Sequence, residues 1–163
     1  MVDFYQFLEE YQIKYERYDH PPVFTVDDVN RLNPHLPGAK TKNLFLKDNK
    51  GQRHFLVVVR DEKRVDLKAL PDLLGSSRLR FGSPDLLKKH LGVDPGAVSL
   101  LAIFNDSENA VEVVIDGDLW ASEAFQFHPL VNTSTLVISR EGLEVFLNKT
   151  GHTARILDVP GLS

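Results

Sequence analysis

At 163 residues and 18.4 kDa, with 42% hydrophobic and 26% charged side chains, the chain has the size and mix of one soluble globular domain. The lack of cysteine excludes disulfides, thiolate metal ligands and cysteine nucleophiles. A formal charge of −4 and a sequence pI near 5.8 argue against a binder of long duplex nucleic acid, but leave room for a protein that grips one terminal nucleotide of an RNA.

The N-terminus, Met1-Val2-Asp3-Phe4, is acidic and aromatic, unlike a secretory signal. No apolar run is long enough to span a bilayer, so a cytoplasmic setting is expected. Phe4, Phe7, Leu8 and Tyr11 recur at helical spacing and predict an amphipathic first helix. Residues 13–18 alternate as a short strand, which His20-Pro21-Pro22 breaks. Thr25 ahead of Val26-Asp27-Asp28 has the form of an N-cap with acids in the first turn, predicting a second helix to about Leu32.

Pro37-Gly38 then opens a loop that runs into the β-prone words Leu44-Phe45-Leu46 and His54-Phe55-Leu56-Val57-Val58-Val59. The turn Asp48-Asn49-Lys50-Gly51 between them makes a hairpin, with Lys42 and Asn43 at the start of its first strand. A short helix is predicted over 67–74 with Gly75 as C-cap, and a strand over 78–81. Ser83-Pro84-Asp85 caps a further helix through His90. Val93-Asp94-Pro95-Gly96 is a turn, and the apolar runs 98–104 and 110–115 predict another hairpin about residues 105–109. Residues 117–120 form a turn or short helix, 125–130 and 135–139 two strands, 141–149 the last long helix and 154–157 a final strand. Interleaved elements with many short hairpins give an α+β fold, a mixed, largely antiparallel sheet flanked by helices.

Motifs with chemistry of their own are few. There is no Walker loop, dinucleotide fingerprint or HExxH, and the six histidines are scattered, so neither metal nor cofactor is expected. No Ser-His-Asp pattern is visible, and Ser76, Ser77 and Ser83 read as turn and cap residues. Lys40, Lys42 and Lys47 by periodicity alone are solvated strand-end charges. His128, in Phe127-His128-Pro129, stands where a proline stops a strand. An imidazole there can hold a water, a hydroxyl or an amine, or can serve as a structural histidine bonded to backbone; the residues alone favour the structural role. Asn132 and Thr133 could line the same pocket or form a turn. Gly96 lets backbone approach closely and could offer an N–H to an oxyanion, or could be a plain turn glycine.

The order of these words carries more than any one of them. Asp19-His20-Pro21-Pro22-Val23-Phe24-Thr25, Gly38 to Lys47, Gly75 to Pro84, Leu91 to Ser99 and Phe127-His128-Pro129-Leu130-Val131-Asn132-Thr133 together resemble the YbaK/prolyl-tRNA synthetase-associated editing domain family. The resemblance spans about Phe4 to about Ile156, making residues 1–163 a single editing domain. It is nearest to free-standing members that hydrolyse alanine mischarged on proline tRNA.

What the resemblance implies is an aminoacyl-tRNA deacylase, a monomer acting on the 3′-terminal aminoacyl-adenosine, with prolyl-tRNA synthetase as a further partner and no DNA or membrane. By position in the family words, Lys42, Gly96 and His128 are the implied catalytic residues. Asn43, and more weakly Phe24, Thr25 and Asn132, are implied substrate contacts. In that reading Lys42 fixes the terminal phosphate or ribose, Gly96 stabilises an oxyanion and His128 shapes the pocket at the α-amine. Two alternatives stand beside it: the same chemistry on another mischarged tRNA such as cysteinyl-tRNA for proline, or a non-catalytic module that binds tRNA or the synthetase.

Overall fold

A computed structural model describes residues 3–22 and 36–162. The helix expected after Thr25 therefore lies outside the described residues, as do Phe24 and Thr25. The described elements in chain order are α1 (Phe4–Glu10), β1 (Tyr15–Asp19), β2 (Thr41–Lys47), β3 (His54–Arg60), α2 (Leu70–Leu74), β4 (Arg80–Phe81) and α3 (Pro84–Leu91). Two 3₁₀ turns follow, Pro95–Ala97 and Leu100–Asn105, then β5 (Val111–Asp116), α4 (Gly117–Trp120), β6 (Ala124–Phe127), β7 (Ser134–Ser139), α5 (Arg140–Lys149) and β8 (Arg155–Leu157).

The class is α+β with a mostly antiparallel character, as the alternation implies, and the strands divide over two sheets. One is antiparallel, in the order β1-β7-β6; the other is mixed, in the order β4-β2-β3-β5-β8. The predicted hairpin is β2–β3, in register from Thr41 opposite Arg60 to Lys47 opposite His54. β3 lies between β2 and the parallel β5, and its residues 54–59 are all buried. Period-two alternation splits them between two cores: Leu56 and Val58 enter the larger, Phe55, Val57 and Val59 the smaller. In the larger core Phe7 packs edge-to-face on Phe104 and Phe146, at centroid separations of 5.2 and 5.8 Å, which anchors α1 on α5.

One expected element is corrected. Residues 98–104 are not a strand; Leu100–Asn105 is a 3₁₀ helix, and β5 runs parallel to β3 instead of forming a hairpin about 105–109. An unbroken apolar run carries no period, so burial alone cannot tell strand from helix there. Local polar groups decide it. Ser99 Oγ accepts from Leu101 N at 3.1 Å, and the Asp106 carboxylate accepts from Ala110 N and Val111 N at 3.0 and 2.8 Å.

The sheets meet at the corner that builds the site. Ala39 bridges to Phe125, with Ala39 N donating to Ala124 O and Gln126 N donating to Ala39 O, both at 2.9 Å. Gly38 makes this possible. Its φ is +87°, and a Cβ there would sit 3.3 Å from the backbone of Ala124 and Phe125.

Candidate active site

Where β2 faces β6 and β7 there is a cavity of about 40 Å³. Thr41 and Asn43 of β2, Gln126 and Phe127 of β6, Thr135 of β7 and the following His128 line it. Lys40 and Asp61 also reach it. A chain of hydrogen bonds ties its walls together. Leu100 N donates to Asn43 Oδ1 at 2.9 Å, Asn43 Nδ2 reaches Thr41 Oγ1 at 3.4 Å, and that hydroxyl donates to Gln126 O at 2.6 Å. Asn43 thus holds the 3₁₀ turn against β2 and ties its amide nitrogen to Thr41, both residues lining the cavity.

His128 is set by its first nitrogen. A carbonyl oxygen only accepts, so the contact of 3.0 Å between Nδ1 and Ser134 O places the hydrogen on Nδ1. The lone pair is then on Nε2, which has no partner among the described residues. Burial pushes the His128 pKa below the ordinary histidine value; the Ser134 carbonyl opposes this and nearby His20 adds to it. The ring is therefore neutral near pH 7, and Nε2 can accept a proton.

His20 stands beside it, ring centroids 6.2 Å apart. Its Nδ1 donates to Pro21 O and its Nε2 pairs with Thr135 Oγ1, each at 2.9 Å. With the hydrogen on Nδ1, Nε2 accepts from Thr135, whose lone pairs are then left to the cavity. The Asp19-His20-Pro21 word held this signal, which strand-breaking alone does not exhaust.

Gln126 is 4% exposed, and its Nε2 lies 3.1, 3.0 and 3.3 Å from the carbonyl oxygens of Leu36, Pro37 and Gly38. All three partners are acceptors, which fixes the orientation of the amide. Its Oε1 is buried with no partner among the described residues. Such an atom costs about 1–3 kcal/mol in a folded protein.

The implied site residues do not all converge. Asn43 and His128 share the cavity; Lys42 does not line it. By strand alternation Lys42 lies on the face of β2 opposite Asn43, with Leu44 and Leu46, and its ammonium donates to the Lys63 carbonyl. Burial lowers the Lys42 pKa, against the pull of Asp61. The cation that lines the cavity is Lys40. Gly96 and Asn132 come together elsewhere, in a groove of about 470 Å³ shared with Pro22, Val93, Ala97 and Leu130. Sequence reasoning missed Gln126, Thr41 and Thr135, because a polar residue in a strand gives no sign of what lies across from it, and it missed Asp61, which stands in the turn after β3.

Comparison with known proteins bears on this arrangement. A family described as "Aminoacyl-tRNA editing domain" matches residues 20–146. The chain is 38% identical over 152 residues to "Prolyl-tRNA editing protein ProX" of Acetoanaerobium sticklandii, covering 93% of each. It is 40% identical over 154 residues to "Prolyl-tRNA synthetase associated domain-containing protein 1" of Danio rerio, covering 93% of this chain and 83% of that protein. Among solved structures, one of a candidate trans-editing enzyme for prolyl tRNA synthetase superposes with a TM-score of 0.68 at 19% identity, over 92% of this chain and 90% of the other. The hypothetical protein APE2540 gives 0.73 at 18% identity, over 93% and 96%. At such identities the two structures speak for the fold alone.

Proposed function

This chain belongs to the aminoacyl-tRNA editing domain family, and from that premise we propose that it is a trans-editing deacylase that hydrolyses the ester of alanine mischarged on proline tRNA. The observation that carries the reading is the small polar cavity with a neutral imidazole in its wall. An aminoacyl ester is already reactive, so a held water, a polarised carbonyl and a bound nucleotide end suffice.

The chemistry balances as follows. Water adds to the ester carbonyl carbon while its proton passes to His128 Nε2, helped by the ribose 2′-hydroxyl. The Asn43 amide nitrogen, in the same wall, donates to the oxyanion that forms. The bond from the carbonyl carbon to the ribose oxygen then breaks, and that oxygen takes the proton from His128. Free amino acid and tRNA leave. Gly96 and Asn132 border the separate groove, whose apolar side formed by Val93, Ala97 and Leu130 suits the terminal nucleoside. Lys42, half-buried on the Lys63 carbonyl beside the turn that carries Asp61, is the cation proposed for the terminal phosphate.

Size is what supports alanine as the substrate. A synthetase pocket built for proline cannot reject a smaller side chain strongly, since one methylene is worth about 1–3 kcal/mol. In the proposed reading a small cavity filters the other way, taking a methyl group in preference to a pyrrolidine ring. The test is hydrolysis of alanyl- and prolyl-charged proline tRNA by the purified protein. Loss of alanine with sparing of proline is expected. Cleavage of the cysteinyl ester alone would transfer the reading to cysteine, and survival of every ester would end the deacylase reading.

A further inference from the structure

We propose that Gln126 Oε1 is the acceptor for the substrate's α-ammonium group, so that the site acts on amino-acid esters with a free amine and not on des-amino or N-acylated ones. This rests on the deacylase reading and adds a specificity residue to it. Three observations carry it. Gln126 lines the cavity and is 4% exposed. Its Nε2 is committed to the carbonyls of residues 36–38, so the amide cannot turn over without setting its oxygen against three others. Its Oε1 is then a buried acceptor with no partner among the described residues.

Beside Lys40, whose cation also lines the cavity, the wall carries three further groups that suit an ammonium. Thr135 gives its hydrogen to His20, and Thr41 gives its own to the Gln126 carbonyl, so each turns lone pairs to the cavity. Asp61 is a further acidic residue among those that line this space. A free amino-acid ester offers a compact ammonium with three donors to such a wall. An acylated nitrogen has at most one N–H, no charge and more bulk. The two ends of Gln126 therefore do separate work: the nitrogen holds the 36–38 loop, and the oxygen reads the amine.

The experiment compares alanyl and propionyl esters of the same proline tRNA with wild type and Gln126→Met. Propionate is alanine without its amine. The α-ammonium also activates an ester chemically, but that contribution is the same for both enzymes and cancels in the ratio of ratios. Any loosening of the 36–38 loop slows both esters alike and cancels too. The alanyl-over-propionyl preference should fall about 10- to 100-fold in the variant, the range for a hydrogen bond to a charged group. Equal loss on both esters would overturn the proposal, as would an unchanged preference.

Should Gln126→Met not fold, a second measurement needs wild type only. The Gln126 side-chain amide resonances should move on titration with 3′-alanylamido-adenosine and stay in place with the propionylamido analogue. Movement with both, or with neither, would overturn the assignment. Failure of wild type to cleave the alanyl ester is a different result, and it removes the deacylase reading beneath the proposal.

Discussion

His128 shows how one backbone contact selects the chemistry of a side chain. The Ser134 carbonyl takes the Nδ1 hydrogen, and burial keeps the ring neutral, so Nε2 is a base before substrate arrives. Replacing it with Asn should lower kcat/KM for the alanyl ester about 10²- to 10⁴-fold, the usual worth of a general base. A melting temperature close to wild type would show that the loss is chemical; unchanged single-turnover hydrolysis would remove His128 from the mechanism. The direction of its shift also places the acid limb of the kcat/KM profile. A lowered pKa means that activity stays level through neutrality and falls only below the ordinary histidine value of about 6.5. A limb above that value would mean that another group controls the step. Lys42 makes a contrast, because its ammonium holds a carbonyl while serving, in the proposed function, as the phosphate cation. On the proposed phosphate role, Lys42→Ala should cost turnover far more than folding stability. A large fall in the urea midpoint with normal turnover per folded molecule would leave Lys42 as a clamp on the turn at Lys63.

Between elements, the decisive join is the bend at Gly38 that brings β2 alongside β6. Gly38→Ala combines a left-handed backbone with a Cβ pressed against the Ala124 and Phe125 main chain, a cost of about 2–4 kcal/mol by urea denaturation. Gly75, the αL cap of α2, has a φ of +67° with open space about it, so Gly75→Ala should cost about 1–2 kcal/mol from backbone strain alone. Equal losses would show that the close approach at Gly38 has no energetic weight. The same join explains what could be read in advance. The β2–β3 hairpin, the Ser83 cap and the Gly75 cap rest on residues within a few positions of one another, and each was legible. Residues 98–104 were not, because a wholly buried run has no period, and Asp106 and Ser99 set its conformation through local hydrogen bonds. The cavity was legible only by halves. The Asn43 and His128 words mark two of its walls, but Thr41 meets the Gln126 carbonyl across 85 positions of chain, and no local pattern encodes that meeting.

Across the whole molecule, two part-buried or buried imidazoles give stability a direction with pH. His54 is 7% exposed at the β3 end of the sheet, its ring 4.3 Å from that of His90, and its Nε2 has no partner among the described residues. Burial lowers its pKa, His90 adds to the effect, and Lys89 and Lys47 push the same way against Asp48. His128 is lowered as well, first by burial. In the unfolded chain both take a proton near the ordinary value of about 6.5, whereas in the fold both resist it. The unfolded state thus binds more protons on the acid side, and stability rises with pH through that window. It is fully present above about 6.5 and is lost as the pH falls below it toward the folded values. His54→Phe keeps a flat ring beside Phe45, which already stacks on His54 at a 9° interplanar angle, and removes the group that must stay uncharged. Urea midpoints measured between pH 5 and pH 8 should then fall less steeply on the acid side in the variant than in wild type, with the two proteins nearer each other at the alkaline end. Parallel curves would show that His54 takes its proton in the fold as readily as in the unfolded chain, and would assign the acid loss to other groups.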